Sequence, residues 1–523
     1  MNLSGFPYLT LLILLPLAAA AALAFLSEPR TARRFAVAAA GLELLLTLTL
    51  FAGFDFDTAR MQLVERAAWI PSLNIDYAVG IDGLSVLFPA LTALLTLAAI
   101  VATWTSVQTQ VRLYLALLLL LESATLGVFC AIDLALFFLF WELTLIPIFF
   151  LVSLWGIGPQ RRHAAVKYTL FMLGGGVPLL FGIILLALEH AGQMALPIPQ
   201  GLSFDYPTLL NLAPGETPRA AIFLLLLLGF AVKAPLFPFH TWLPTVAMEG
   251  PAGLTALLTG LKLGLFGILR FALPLAPEAA QHYAWLLSFL GCVGVVYGAL
   301  IALRQTNLRR LLAYSSISHA GFVVVGLATL NLQGAQGALF QLANFGIVSG
   351  GLFLLAGFLH HRLGSTDLAH LGGAAGPMPL LATFFFILGL ASIGVPGTNG
   401  FAAEHLILIG TFKSHPGSGF VLLIGVVLSA AYFLGFFQRA FFGSIRPDTD
   451  RAGLDLRSRE LALAAILAGL ALLFGLVPSL ALNSSRISVA AWVAHVTAAR
   501  ESPAYADVSG NPVETSIIGS ATK

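Results

Sequence analysis

Charge is scarce in this chain. Only 10% of its 523 residues are Asp, Glu, Lys or Arg, against about 25% in an ordinary soluble domain, while 59% are hydrophobic. No polar stretch approaches the roughly 100 residues of a typical soluble domain, so nothing here reads as one. Cysteine is nearly absent: the 2 present, Cys130 and Cys292, lie in apolar segments with no partner at metal-ligand spacing and read as small core residues. A Walker loop, a dinucleotide fingerprint and a CxxC pair are missing too, which argues against ATP, NAD or iron–sulfur sites and leaves no cofactor or metal expected on this chain. The formal net charge of +2, without a basic block, offers nucleic acid no surface.

What the chain has instead is apolar runs of about 20 residues, the length that crosses a bilayer. They recur from end to end and predict an all-α polytopic membrane protein of about 14 transmembrane helices. The first run, Tyr8 to Phe25, lacks a basic leader and continues into SEPRTARR, so it reads as a span and not as a signal peptide. Alternating the loops places 16 of the 26 basic residues on one side, from Arg30, Arg33 and Arg34 through to Arg457 and Arg459. By the positive-inside tendency that side is cytoplasmic and both termini face outward. The tail 484–523 turns polar after Ala499 and is expected outside the bilayer. The setting implied is the bacterial inner (plasma) membrane or an equivalent energy-transducing membrane.

Two basic residues, Lys233 and Lys262, fall within the membrane. A charge at mid-bilayer costs at least about 2.5–3.5 kcal/mol, so each needs a reason. Lys233 follows a long apolar run and precedes APLFPFHTWLP, whose Pro235 and Pro238 remove backbone donors and free carbonyls. Irregular backbone of that kind is tolerated only against protein or internal water, so the helix over 220–246 is expected to be broken and wet. A second break is expected at Val395-Pro396-Gly397, inside 377–414. Glu142, in FFLFWELTLIP, is the carboxylate expected to pair with Lys233; burial disfavours a charged amine and a nearby carboxylate favours it, so opening or closing such a pair makes a proton switch. Lys262 in LTGLKLGLFGILR, His319 in YSSISHAG and Glu404 in TNGFAAEHLILIG continue the row. The alternative for each is structural: a buried ion pair, or hydrogen bonds between helices. Glu43 and Glu122 also sit in apolar spans, and here helix packing weighs as much as function.

The segment map contains a repeat. Glu142 precedes the break at Ala234-Pro235 in one half, and His319 precedes the break at Val395 to Gly397 in the other. Five spans from four to eight and five from nine to thirteen start in opposite orientations, the layout of inverted-repeat transporters with discontinuous helices. The expected divisions are an N-terminal three-helix segment, 1–110; a first repeat, 111–275; a second, inverted repeat, 276–445; and a final helix with a polar tail, 446–523. Helices 7 and 12 are the discontinuous ones.

These pieces resemble the antiporter-like membrane subunits of respiratory complex I, NADH-quinone oxidoreductase, and among them the subunit M (chain 4) type. The resemblance is carried by DGLS at 82–85, WELTLIP at 141–147, KAPLFPFHTWLP at 233–244, LKLGLFGILRF at 261–271, LLAYSSISHAG at 311–321 and GVPGTNGFAAEHLILIG at 394–410. It implies that Glu142 and Lys233 form the ion pair of a first half-channel, that Lys262 connects, and that His319 leads to a second half-channel ending at Glu404. A glutamate at 404, with no long C-terminal lateral helix, points to the subunit M type. The resemblance implies flavin, iron–sulfur clusters and quinone in partner subunits, and neighbours of the subunit L and N types in a membrane arm. Two departures stand out. Where the family often has Q-x-x-x-H-G, this chain has Gln341 followed by Asn344, Phe345 and Gly346; and Thr245-Val246-Ala247 replaces a polar Asp-Ala-His, leaving Glu249 as a candidate for the cytoplasmic entrance. The same fold occurs in multisubunit sodium/proton antiporters, membrane-bound hydrogenases and the ferredoxin-driven photosynthetic complex. A sodium site would need more hard oxygens than Glu404, Asn399 and Thr398 supply. A passive scaffold leaves Lys233 unexplained.

Overall fold

The computed structural model describes residues 6–212, 219–445 and 455–498. Among them, eleven helices are long and apolar enough to cross a membrane, and three shorter apolar helices, Leu87–Ala102, Ala220–Lys233 and Pro379–Ser392, accompany them. The chain is an integral, multi-pass membrane protein. Its central helices, such as Leu308–Ala328, are buried on every face, whereas peripheral ones such as Pro29–Ala52 turn leucines outward. That is the inversion expected where lipid, and not water, is the solvent.

Small residues set the closest helix contacts. A Cβ on Gly321 would meet the Gly291 carbonyl, and one on Gly298 would meet the backbone at Ser318, so helices Ala284–Leu303 and Leu308–Ala328 touch along their backbones. The DGLS and LRF motifs meet in space. The Asp82 carboxylate accepts from Leu84 N and Ser85 N, fixing the turn before Leu87–Ala102, and pairs with the Arg270 guanidinium, which lies over the Tyr206 ring.

Four elements depart from the expected helical map. Strands β1 (Gln62–Ile70) and β2 (Ile75–Ile81) form an antiparallel hairpin whose turn places Asn74 at φ +53, a conformation Asn tolerates. The helix holding Lys262, where no break is expected, is broken at Leu261-Lys262: helix Ala252–Gly260 ends there and Leu263–Gly267 starts anew, running into a π-turn at Ile268–Ala272. A second π-turn, Phe345–Ser349, interrupts the helix that begins at Leu332; such turns often mark functional positions. Residues 484–498, expected as the start of an external tail, belong to helix Ser479–Ala498. Ala481, Ser484, Ser488, Trp492 and Val496 recur at helical spacing and are buried, and the serines among them hide the stripe from a hydropathy scan. Trp492 Nε1 donates to Leu269 O at 2.9 Å and His495 Nε2 to Pro274 O at 2.9 Å. The remainder of the tail, 499–523, lies outside the described residues.

The two expected breaks are present. Helix Ala220–Lys233 stops at Lys233 and the chain resumes helically only at Phe239–Thr241 and Trp242–Glu249. Helix Pro379–Ser392 stops before Gly394 (φ +68), Pro396 and Gly397 (φ +92), and restarts as Asn399–Ser414.

Candidate functional site

Side chains from neighbouring helices brace both breaks. Trp242 Nε1 donates to Val232 O at 2.9 Å, closing the end of the first broken helix, and Asn344 Nδ2 donates to Asn399 O at 3.0 Å at the second. Helix Leu134–Leu143 starts on Asp133, whose carboxylate caps Ala135 N and Leu136 N, and yields at Thr144 before Leu145–Trp155. Pro147 has no N–H to continue the ladder there. The Trp141 carbonyl accepts from two side-chain donors, the Thr144 hydroxyl at 2.8 Å and the Lys233 ammonium at 3.0 Å.

Lys233 also donates to Thr144 Oγ1 at 2.8 Å and sits over the Trp141 ring, 3.9 Å from its centroid. The expected ion pair is not formed. No carboxylate oxygen among the described residues lies within 4.0 Å of the Lys233 ammonium. Glu142 projects from the other side of its helix toward Gly176, where a Cβ would strike Oε1, and that oxygen has no hydrogen-bond partner. The physical reason is local: Trp141 and Thr144 stand three residues apart on one helix face and occupy the lysine, while Glu142 is turned a hundred degrees away on the 3.6-residue period.

A cavity of about 30 Å³ opens beside Lys233, lined by Thr96, Glu122, Thr125, Thr144, Tyr168 and the leucines Leu261 and Leu263 that flank Lys262. Lys262 is buried, donates to Ser316 Oγ at 2.6 Å and faces the Phe345 ring at 5.0 Å. Ser316 borders a second cavity of about 30 Å³, which also touches His319, Gln341, Asn344 and Phe345. A water needs about 10–15 Å³ and several polar partners, so each cavity has room for one or two.

His319 and Glu404 meet at the far end. Nδ1 lies 2.8 Å from Ser315 O, a pure acceptor, so Nδ1 carries a hydrogen; Nε2 lies 3.3 Å from Glu404 Oε1. That contact is favourable only with a proton between the two atoms, on imidazole or on carboxyl. Without it, two lone pairs face each other. Gly394 makes the room: a Cβ there would stand 2.6 Å from Glu404 Oε2. Tyr432, 2.8 Å from the Ser315 hydroxyl, extends the network, and nothing in the sequence alone singled it out.

Glu249, a candidate for the entrance, is otherwise engaged. Its carboxylate accepts from Gln160 N at 2.9 Å, at the head of helix Arg161–Gln193. Lys167, which the sequence did not point to, reaches the first break instead, donating to Thr241 O at 2.8 Å and Thr245 Oγ1 at 3.0 Å. Paired broken helices beside ionisable groups are a layout that ion-transporting membrane folds share.

Comparison with known proteins agrees. Residues 131–430 match the family described as NADH:quinone oxidoreductase/Mrp antiporter, TM. NADH-quinone oxidoreductase subunit M of Rhodobacter capsulatus is 37% identical over 92% of this chain and 95% of its own length. F(420)H(2) dehydrogenase subunit M of Methanosarcina mazei is also 37% identical, over 90% of this chain and 95% of its own. Among solved structures, a chain of respiratory complex I from Thermus thermophilus superposes with a TM-score of 0.82 at 35% identity, covering 93% of this chain and 99% of that one. A chain of the Mrp complex from Dietzia sp. reaches 0.83 at 24% identity, a likeness of fold. The chain belongs to the NADH:quinone oxidoreductase/Mrp antiporter membrane family, among the relatives of NADH-quinone oxidoreductase subunit M.

Proposed function

We propose that this chain translocates protons in the membrane arm of an NADH-quinone oxidoreductase, between neighbours of the subunit L and N types. The electrons pass through partner subunits that hold flavin, iron–sulfur clusters and quinone. The reading includes fourteen spans, of which four to eight and nine to thirteen form two inverted five-helix repeats, with both termini outside the energy-transducing membrane. The single observation that carries it is the row of buried and half-buried polar groups: Glu142, Lys233 and its cavity, the broken helix at Lys262, Ser316, the second cavity, and the His319–Glu404 pair.

Each part has a task in that row. Lys233, held on the Trp141 carbonyl and Thr144 hydroxyl, makes no direct ion pair with Glu142 in this state; swinging toward Glu142 would raise its hold on a proton, and the swing back would lower it. A released proton crosses the first cavity to Lys262, whose helix break gives it room. Ser316 and a water beside Asn344 then carry it to the His319–Glu404 contact, with Asn344 and water standing where Phe345 cannot serve. When that contact loses its proton, the facing lone pairs repel and the pair separates, so release and opening are one event. Quinone chemistry elsewhere would drive the cycle by shifting the Lys233 swing.

The test uses the whole complex. Lys233→Ala and Glu142→Ala are expected to assemble and to lose proton pumping or coupled turnover. Wild-type coupling in both variants refutes the switch. A second reading keeps the pump and changes the driver, as in ferredoxin-driven photosynthetic complexes, membrane-bound hydrogenases or cation/proton antiporters; the equal identity to an F(420)H(2) dehydrogenase subunit favours keeping it. Purifying the tagged complex in mild detergent and identifying its partners by mass spectrometry decides between them.

A further inference from the structure

Two buried carboxyl groups outside this row stand without a partner among the described residues. Glu122, on helix Val111–Cys130, is 1% exposed and Glu43, on helix Pro29–Ala52, is 0% exposed. All four of their oxygens lack a hydrogen-bond partner, and no cation pairs with either among the described residues. The two helices pack together, and the groups are close enough for their charges to repel. A packing role does not explain a carboxyl at such positions, since leucine fills the space without leaving buried polar oxygens unpartnered.

Glu122 lines the same cavity as Lys233. Thr96 and Tyr168 line it too, and each has a buried hydroxyl without a partner. The neighbouring Thr92 hydroxyl, by contrast, bonds back to Phe88 O at 2.8 Å in the ordinary helical manner. A cavity of this size edged by unpaired hydroxyls, a carboxyl and an amine meets the requirements for ordered water.

We propose that Glu122 is a second proton partner of Lys233, reached through water in this cavity, and that Glu43 stands behind it as a reserve. The step balances simply: the Glu122 carboxyl O–H breaks, the proton passes along water, and an N–H bond forms on a neutral Lys233. The carboxylate left behind is reprotonated from Glu43. Lys233 thus receives protons from two sides, from Glu142 and from the Glu43–Glu122 branch. This rests on the relay reading above.

The experiment is difference infrared spectroscopy of the intact complex during turnover, combined with the proton-to-electron ratio in membrane vesicles. Glu122→Gln is expected to lose one carboxylic acid C=O band and to lower the ratio, and Glu122→Asp to retain both. A wild-type ratio with all carboxylic bands present in Glu122→Gln overturns the proposal, as does equal impairment of the two variants with unchanged bands. If Glu122→Gln does not assemble, Glu43→Gln serves: the Glu122 band shifts if the groups communicate, and an unshifted band overturns the branch. Lys233→Ala, measured alongside, separates the two failures, because a wild-type ratio there sinks the relay itself.

Discussion

Gly394→Ala isolates the contact between His319 and Glu404. Gly394 has φ +68, where an L side chain costs roughly 1–2 kcal/mol. Its new Cβ would also stand 2.6 Å from Glu404 Oε2, so the carboxylate must retreat, and Oε1 with it, from its 3.3 Å contact with His319. Against a total stability of about 5–15 kcal/mol the backbone cost is tolerable, and the complex should assemble. Misplacing a reacting group by about 1 Å costs on the order of 100-fold, so proton transfer through this half of the chain should fall by one to two orders of magnitude. Gly364→Ala is the matched control: φ is +70 and nothing lies within 4 Å of its Cβ, so it carries the same backbone strain without touching Glu404. Pumping is read as acidification of inverted vesicles by a pH-sensitive dye, and stability as the thermal midpoint of the purified complex. Equal pumping by the two variants would refute the role given to Glu404, whatever their stabilities.

Other outcomes follow from the same geometry. Ser316→Ala removes the hydroxyl that accepts from Lys262; a hydrogen bond to a charged group contributes about 1.5–3 kcal/mol, and coupled turnover should drop while assembly persists. Phe345→Leu removes the ring facing Lys262, a contact of about 0.5–2 kcal/mol, and should weaken pumping less than Ser316→Ala does. Arg270→Ala leaves the Asp82 carboxylate buried without its guanidinium and should destabilise the fold by about 3–5 kcal/mol, seen as poor assembly on a native gel; normal assembly would count against that pair as a structural anchor. Asp133→Ala removes the cap of Leu134–Leu143 and should cost about 1 kcal/mol in the thermal midpoint, with pumping retained.

Much of the site was legible because its signals are local. Lys233, Lys262 and Glu404 announce themselves as charges in apolar runs, and Pro235, Pro238, Pro396 and Gly397 announce the breaks beside them. The break at Lys262 was not legible: no proline marks it, and Leu261 leaves the helix only in the folded packing. The pairing of Glu142 with Lys233 was read from charge alone, whereas the fold gives Lys233 to the Trp141 carbonyl and Thr144 hydroxyl. Trp141 and Thr144 at helical spacing carried that signal faintly. Helix Ser479–Ala498 escaped because a stripe of serines and alanines has no hydropathy.

The sequence by itself determined that this chain lives in a membrane, that its helices break at two prescribed places, and which few ionisable groups the bilayer tolerates. These follow from the cost of charge in hydrocarbon and from proline's missing N–H, which act within a few residues. Only the tertiary structure decided which of those groups touch. His319 and Glu404 are 85 residues apart in the chain and 3.3 Å apart in space, Lys262 finds Ser316, and Glu122 shares its cavity with Lys233. Contacts of that kind depend on how whole helices pack, and no local rule of the sequence contains them.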